Sequence, residues 1–256
     1  PKTAGSTFAH ILRRQYFRKS KFEFTGNITA DKMRFEALSA KERESIVLFT
    51  GHAPIITGIG RVDNMTTITF LRDPISRVKS YCQFVSEGKV PSLIDNLPFN
   101  LERFLESGNA ELFNFQTRML VNDSRSGSFK NMSASDAKDA ALDNLFNKIS
   151  LYGLQEYFDE SLMIFCSSFD WRMPFYTSIN RKNTRNLIQF NKYHIERIAD
   201  MNAIDLEVYK SAKEKFLHVL GTAAFDKAKL KRFRLINRPA SFMLKTYDWV
   251  NNRMRH

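Results

Sequence analysis

The chain is 256 residues long, 43% hydrophobic and 26% charged, which excludes a disordered or fibrous chain and a small disulfide-stapled domain. Lys and Arg number 39 and Asp and Glu 27, so the net charge is +12. A surplus of this size points to an anionic partner, without choosing among nucleic acid, anionic glycan, phosphorylated nucleotide and membrane surface. Nine of the cations, against Asp226 and Asp248, fall in residues 226–256, so +7 of the surplus sits in a tail.

The chain opens on Pro1 and a run of small polar residues. Phe8, Ile11, Leu12 and Tyr16 then mark one face of a helix. Residues 31–45 are polar and read as helix or loop. Residues 45–49 read as a short buried strand ended by Thr50-Gly51-His52, and residues 58–64 as a loop. Residues 66–71 are rich in β-branched side chains and predict a strand. Asp73 before Pro74 is a helix start, and Ile75, Val78, Cys82 and Val85 come next at helical spacing.

Residues 99–121 and 134–148 predict two or three helices around a Ser/Asn/Gly loop at 122–133. Residues 150–154 read as a strand, 159–169 as a helix, 192–220 as two helices, and 223–255 as a basic, mostly helical tail. Strands alternating with helices predict an α/β fold with a parallel sheet. Ligands bind such sheets at the carboxyl ends of strands. Residues 1–7, 50–54 and 72–74 fall at such ends.

Two cysteines, Cys82 and Cys166, lie far apart, and two buried thiols are the expected state. No Cys/His set has metal-ligand spacing. No run of about 18 apolar residues is present, so no transmembrane segment is expected, and no signal peptide is seen.

Chemistry concentrates in two segments. In Lys2-Thr3-Ala4-Gly5-Ser6-Thr7, small residues open a helix, so backbone N–H groups converge and Gly5 permits close approach and unusual dihedrals. Lys2 adds a full charge, and the Ser6 and Thr7 hydroxyls add donors. The result is a phosphate or sulfate cradle, or else a helix capped ordinarily by Thr3 or Ser6. A Walker A loop places its Lys after the second Gly; here Lys leads. In the second segment, residues 71–81, Arg72 leaves a strand end where its planar fork can grip a phosphate. Ser80 comes two helical turns on. A surface salt bridge and a helix-surface hydroxyl are the plainer alternatives.

Together the two segments resemble the sulfotransferase superfamily, which uses 3′-phosphoadenosine 5′-phosphosulfate (PAPS) as donor. Within it they are similar to the carbohydrate branch, typified by heparan sulfate 2-O-sulfotransferase. The first segment is similar to that family's 5′-phosphosulfate loop, and residues 72–81 to its 3′-phosphate motif. Supporting segments are Thr50-Gly51-His52, Asn114-Phe115-Gln116-Thr117-Arg118 and residues 152–159. The likeness covers about residues 1–220. It implies a domain over residues 1–222 with a P-loop-like parallel sheet flanked by helices, a mostly helical C-terminal part, and a basic helical extension over 223–256. Loops of this kind come after a buried strand, so a further strand before Pro1 is expected.

The resemblance implies roles for particular residues. Lys2 binds the 5′-phosphosulfate and stabilises the bridging oxygen. Thr3, Ala4, Gly5, Ser6 and Thr7 cradle that group. Arg72 and Ser80 hold the 3′-phosphate, and His52 is the catalytic base. An imidazole has the right ordinary pKa for that task. His10 lies on the first helix, packed or at the cleft wall, His194 and His218 lie in C-terminal helices, and His256 is terminal; only His52 follows a strand end between the two segments.

A basic loop at 180–185 is either a closing loop over the donor or a solvated charge run. No metal is called for. The product is 3′-phosphoadenosine 5′-phosphate, and the acceptor is a glycan or another hydroxyl compound rather than nucleic acid. A bacterial cytoplasmic setting is favoured over the Golgi lumen. The alternatives are a P-loop-type nucleotide kinase and a non-enzymatic module that binds anionic glycan or nucleic acid through the basic tail.

Overall fold

A computed structural model describes residues 2–51, 65–90, 99–121, 129, 131–177 and 187–253. In chain order the elements are α1 (Gly5–Gln15), β1 (Ser20–Phe24), α2 (Ile28–Glu36), α3 (Ala40–Ser45), β2 (Ile46–Gly51), β3 (Ile68–Leu71) and α4 (Pro74–Ser86). Next are α5 (Leu101–Glu106), α6 (Phe115–Leu120), α7 (Ala134–Asp143), β4 (Leu151–Leu154), α8 (Phe158–Phe169), α9 (Lys192–Met201), α10 (Ala203–Gly221) and α11 (Lys227–Arg253). This is a mixed α/β protein, mostly helical, with small parallel sheets. No helix among the described residues is long and apolar enough to cross a membrane.

The described residues divide into two compact units. The first draws on residues 2–3, 65–156 and 187–215, the second on 4–51, 157–177 and 216–253.

In the first unit β3 and β4 pair in parallel, in register from Ile68↔Leu151 to Leu71↔Leu154. Parallel pairing sets both carboxyl ends on one edge. The residues just after Leu71 and those just after Leu154 therefore leave the sheet side by side. Helix α4 starts directly after β3 because Asp73 accepts a hydrogen bond from the Ser76 N–H at 2.8 Å and Pro74 occupies the first turn. Its Val78, Cys82 and Val85 are fully buried against Phe104, Leu105, Leu112, Ile198 and Met201. Polar groups also enter this core. Asp205, near the start of α10, accepts from the N–H groups of Gln116 and Thr117 at 3.1 and 2.7 Å and from Thr117 Oγ1 at 2.6 Å. Removing that carboxylate leaves three buried donors unpaired. Asp205→Ala is expected to cost about 3 kcal/mol, read as a lower urea midpoint at unchanged slope.

The second unit holds the parallel pair β1–β2, in register from Lys21↔Leu48 to Phe24↔Gly51. Phe22, Phe24, Phe35 and Phe49 form an aromatic cluster over it. Gly51 ends β2 with φ +138°, and a Cβ there would lie 2.5 Å from the Phe24 carbonyl oxygen. Only glycine lets the chain leave the sheet at this point. Phe8, Ile11 and Leu12 bury the apolar face of α1, and Phe8 meets Phe165 of α8 and Trp171. In α11, Phe233 is fully buried and stacks on Phe175, while Arg234 pairs with Asp159 and Glu160 of α8 at 3.0 and 2.8 Å.

The strands differ from the sequence reading in two respects. Among the described residues they pair two by two, one pair in each unit, rather than in one sheet. The unforeseen strand is β1. Its five residues Ser-Lys-Phe-Glu-Phe show little β-branching, yet they take the edge of β2. Cys82 and Cys166 are buried free thiols, as the sequence predicts. Burial pushes them up to about 12 and about 11.

Candidate functional site

Lys2 lies next to Arg72 in the first unit, although 70 residues separate them: Arg72 Nη1 donates to the Lys2 carbonyl at 2.9 Å. Lys2 also extends its ammonium over the Phe84 ring, 4.1 Å from the centroid. Phe84 stands one turn after Ser80 on α4, so Ser80 and Phe84 share a helix face. Lys2, Arg72 and the Ser80 face of α4 thus belong to one neighbourhood. Three cations meet there, Lys2, Arg72 and Lys89, with the carboxylates of Glu87, Asp73 and Glu156 beside them. Burial lowers the Lys2 pKa first, and Lys89 and Arg72 lower it further, with Glu87 opposing.

Arg72 is a half-buried guanidinium. Burial lowers its pKa, and Glu156 and Asp73 partly offset that. Its Nε is buried and has no hydrogen-bond partner among the described residues. Nε lies on the guanidinium edge it shares with Nη2, away from the Nη1 that holds Lys2. That edge is the one a phosphate accepts from in a bidentate contact. The parallel β3–β4 pair brings Glu156 to the same place: its Oε1 accepts from the Asp73 N–H at 3.0 Å and its Oε2 from Tyr209 Oη at 2.8 Å.

The loop itself is unusual in its backbone. Lys2 has φ 68°, and Ala4 has φ 64° and ψ 12°, both left-handed. The expectation that Gly5 takes the unusual dihedrals is corrected: Gly5 opens α1, and the left-handed residues are Lys2 and Ala4. Side-chain capping by Thr3 or Ser6 is also corrected. Ala4 is the N-cap and makes no side-chain cap bond. Left-handed Ala and Lys cost on the order of 1 kcal/mol each. Ala4→Gly is accordingly expected to raise stability by about 1 kcal/mol, checked by urea unfolding.

Thr3, Ala4, Gly5 and Thr7 are half-buried and Ser6 is exposed. Lys2 and Thr3 belong to the first unit, and Ala4, Gly5, Ser6 and Thr7 to the second, at the start of α1. His52 lies outside the described residues, as do Lys182, Arg185 and the rest of the 180–185 loop. His10 is exposed on α1. His194 is buried in a capping box with Asn191.

Three residues of the neighbourhood carry no role in the sequence reading: Gln116, Glu156 and Phe84. Gln116 and Glu156 sit in segments that supported the resemblance. For Phe84 the signal was there, since it lies four residues beyond Ser80 on a predicted helix. No protein-family model matches this chain, and no curated protein matches it either.

Proposed function

We propose that the protein is a sulfotransferase that moves a sulfuryl group from PAPS to a hydroxyl of an acceptor, with a glycan as the favoured acceptor class. The observation that carries this reading is the meeting of Lys2 with Arg72, whose Nε is buried without a partner among the described residues. An unpaired buried guanidinium edge costs free energy that an anion recovers. The left-handed backbone at Lys2 and Ala4 is of the kind that turns N–H groups toward phosphate and sulfate groups. The β3–α4 connection, with Arg72 at the carboxyl end of a parallel strand, suits a P-loop-like arrangement.

The donor supplies an activated sulfuryl group and a good leaving group. The chain does the rest. Arg72 and Ser80 hold the 3′-phosphate, and Thr3, Ala4, Gly5, Ser6 and Thr7 surround the 5′-phosphosulfate. Lys2 supplies positive charge beside the departing oxygen, where preorganised charge lowers the barrier. His52 takes the proton of the acceptor hydroxyl. Two buried free thiols suit a reducing, cytoplasmic setting.

The test is incubation of the full chain with sulfur-35-labelled PAPS and desulfated polysaccharides. Label entering a polysaccharide is the expected result, and linkage analysis then locates the sulfated hydroxyl. Absence of label from every polysaccharide and small hydroxyl acceptor tried, with intact donor recovered, would count against transfer.

A further inference from the structure

We propose that Gln116 is a positioning residue that sets Arg72 for a phosphate monoester. This rests on the donor reading above, in which that group is the 3′-phosphate. Arg72 is the first residue beyond the β3–β4 ladder, which ends at Leu71↔Leu154. Its peptide groups need partners that the sheet does not supply. Gln116 supplies both: the Arg72 N–H donates to Gln116 Oε1 at 2.9 Å, and Gln116 Nε2 donates to the Arg72 carbonyl at 2.8 Å. A primary amide offers an acceptor and a donor in one plane, as a neighbouring strand would. Glutamate keeps only the acceptor, and leucine keeps neither.

Gln116 is itself anchored. Its N–H donates to Asp205 Oδ2 at 3.1 Å, and the neighbouring Thr117 occupies Oδ1 through its N–H and hydroxyl. Asp205 in turn donates its N–H to Asn114 Oδ1 at 3.0 Å, and Asn114 donates its N–H to Asn202 Oδ1 at 3.2 Å. Gln116, Thr117, Asn202 and Asp205 are all buried. Buried, satisfied networks of this kind hold one geometry. The next N–H along the chain, that of Asp73, is fixed by Glu156. Three successive backbone polar groups at Arg72 and Asp73 are therefore tied to side chains from distant parts of the chain. The guanidinium leaves this fixed point with Nη1 on the Lys2 carbonyl and Nε unpartnered. A misplacement of about 1 Å at such a point is enough to spoil a bidentate contact.

The experiment compares the affinity of 3′-phosphoadenosine 5′-phosphate with that of adenosine 5′-phosphate, by calorimetry on the full chain. The ratio of the two dissociation constants isolates the 3′-phosphate. Wild type should favour the 3′-phosphorylated nucleotide by about a hundredfold or more. Gln116→Leu should shrink the ratio at least tenfold, while adenosine 5′-phosphate binds within about twofold of wild type. Gln116→Glu, which keeps size and one of the two bonds, should fall between and covers the case in which the leucine variant does not fold.

Phe35→Leu loosens a buried cluster over β1 and β2 that has no part in the Gln116–Asp205 network, and should leave the ratio unchanged. In an Arg72→Ala background, Gln116→Leu should have no further effect on the ratio. An unchanged ratio in both Gln116 variants would overturn the proposal, as would equal weakening of both nucleotides or a Phe35→Leu effect of the same size. If wild type does not prefer the 3′-phosphorylated nucleotide, the donor reading itself fails, and the positioning role with it.

Discussion

Lys2→Ala is expected to lower sulfuryl transfer by about two to three orders of magnitude, the loss seen when one preorganised charge-stabilising group is removed. Lys19→Ala, on an exposed lysine, is expected to leave it unchanged. The difference comes from surroundings, not from charge as such. Lys2 is half-buried, rests on the Phe84 ring, and has Arg72 and Lys89 as cationic neighbours. Its folded pKa therefore lies below the ordinary lysine value of 10.5.

This shift gives the pH effect a definite sign. A lysine whose pKa is lowered by folding carries fewer protons folded than unfolded between the two pKa values. The penalty for charging it is fully present below the folded pKa and disappears as pH rises toward 10.5, so this group makes stability rise with pH across that window. Under the proposed function activity runs the other way. The proposed role needs the ammonium form, so turnover should fall at a lower alkaline pH than a free lysine would dictate. Lys2→Ala should remove that limb from the pH–rate profile. Bound 3′-phosphoadenosine 5′-phosphate should move the limb upward, because an anion favours the charged amine. A Lys2→Ala variant with undiminished transfer and an unchanged profile would refute the role.

His52→Ala is expected to lower transfer by about two to four orders of magnitude, the range for loss of a general base, with donor affinity kept within about twofold. Sequence and chemistry carry this expectation: His52 is the next residue in the chain after Gly51, which ends β2. Gly51 precedes it with a conformation and a closeness to Phe24 that no other residue tolerates. Single-turnover measurements with saturating donor separate the two effects. Loss of donor binding together with transfer would make His52 a binding or structural residue and put the base elsewhere.

The sequence made the helices legible because their signals are local. Asp73 and Pro74 announce α4, Phe8, Ile11 and Leu12 mark the buried face of α1, and the 3.6-residue period of residues 75–85 marks the buried face of α4. Strand β3 was legible from its β-branched run. Strand β1 was not, because its place depends on pairing with β2, more than twenty residues later. The site divides the same way. Lys2, Arg72 and Ser80 stood out as residue types in a pattern. The left-handed turn at Ala4 did not, since nothing in alanine favours it. The clamp on Arg72 was hidden as well. Gln116 lies 44 residues from Arg72 and 89 from Asp205, and only the fold joins them.

The charge surplus of the chain is also resolved into parts. Arg234 of the basic tail is engaged by Asp159 and Glu160 within its own unit. The cations that matter for the proposed chemistry are few and partly buried, Lys2 and Arg72 above all.

The central claim is that this cationic neighbourhood is built for a nucleotide bearing a 3′-phosphate, and thermal unfolding with added nucleotide tests it most directly. A ligand that binds only the folded chain raises its melting temperature, and more so the tighter it binds. At equal concentration, 3′-phosphoadenosine 5′-phosphate should raise the midpoint by several degrees, and clearly more than ATP with magnesium. No shift with the 3′-phosphorylated nucleotide, or a larger one with ATP and magnesium, would contradict it.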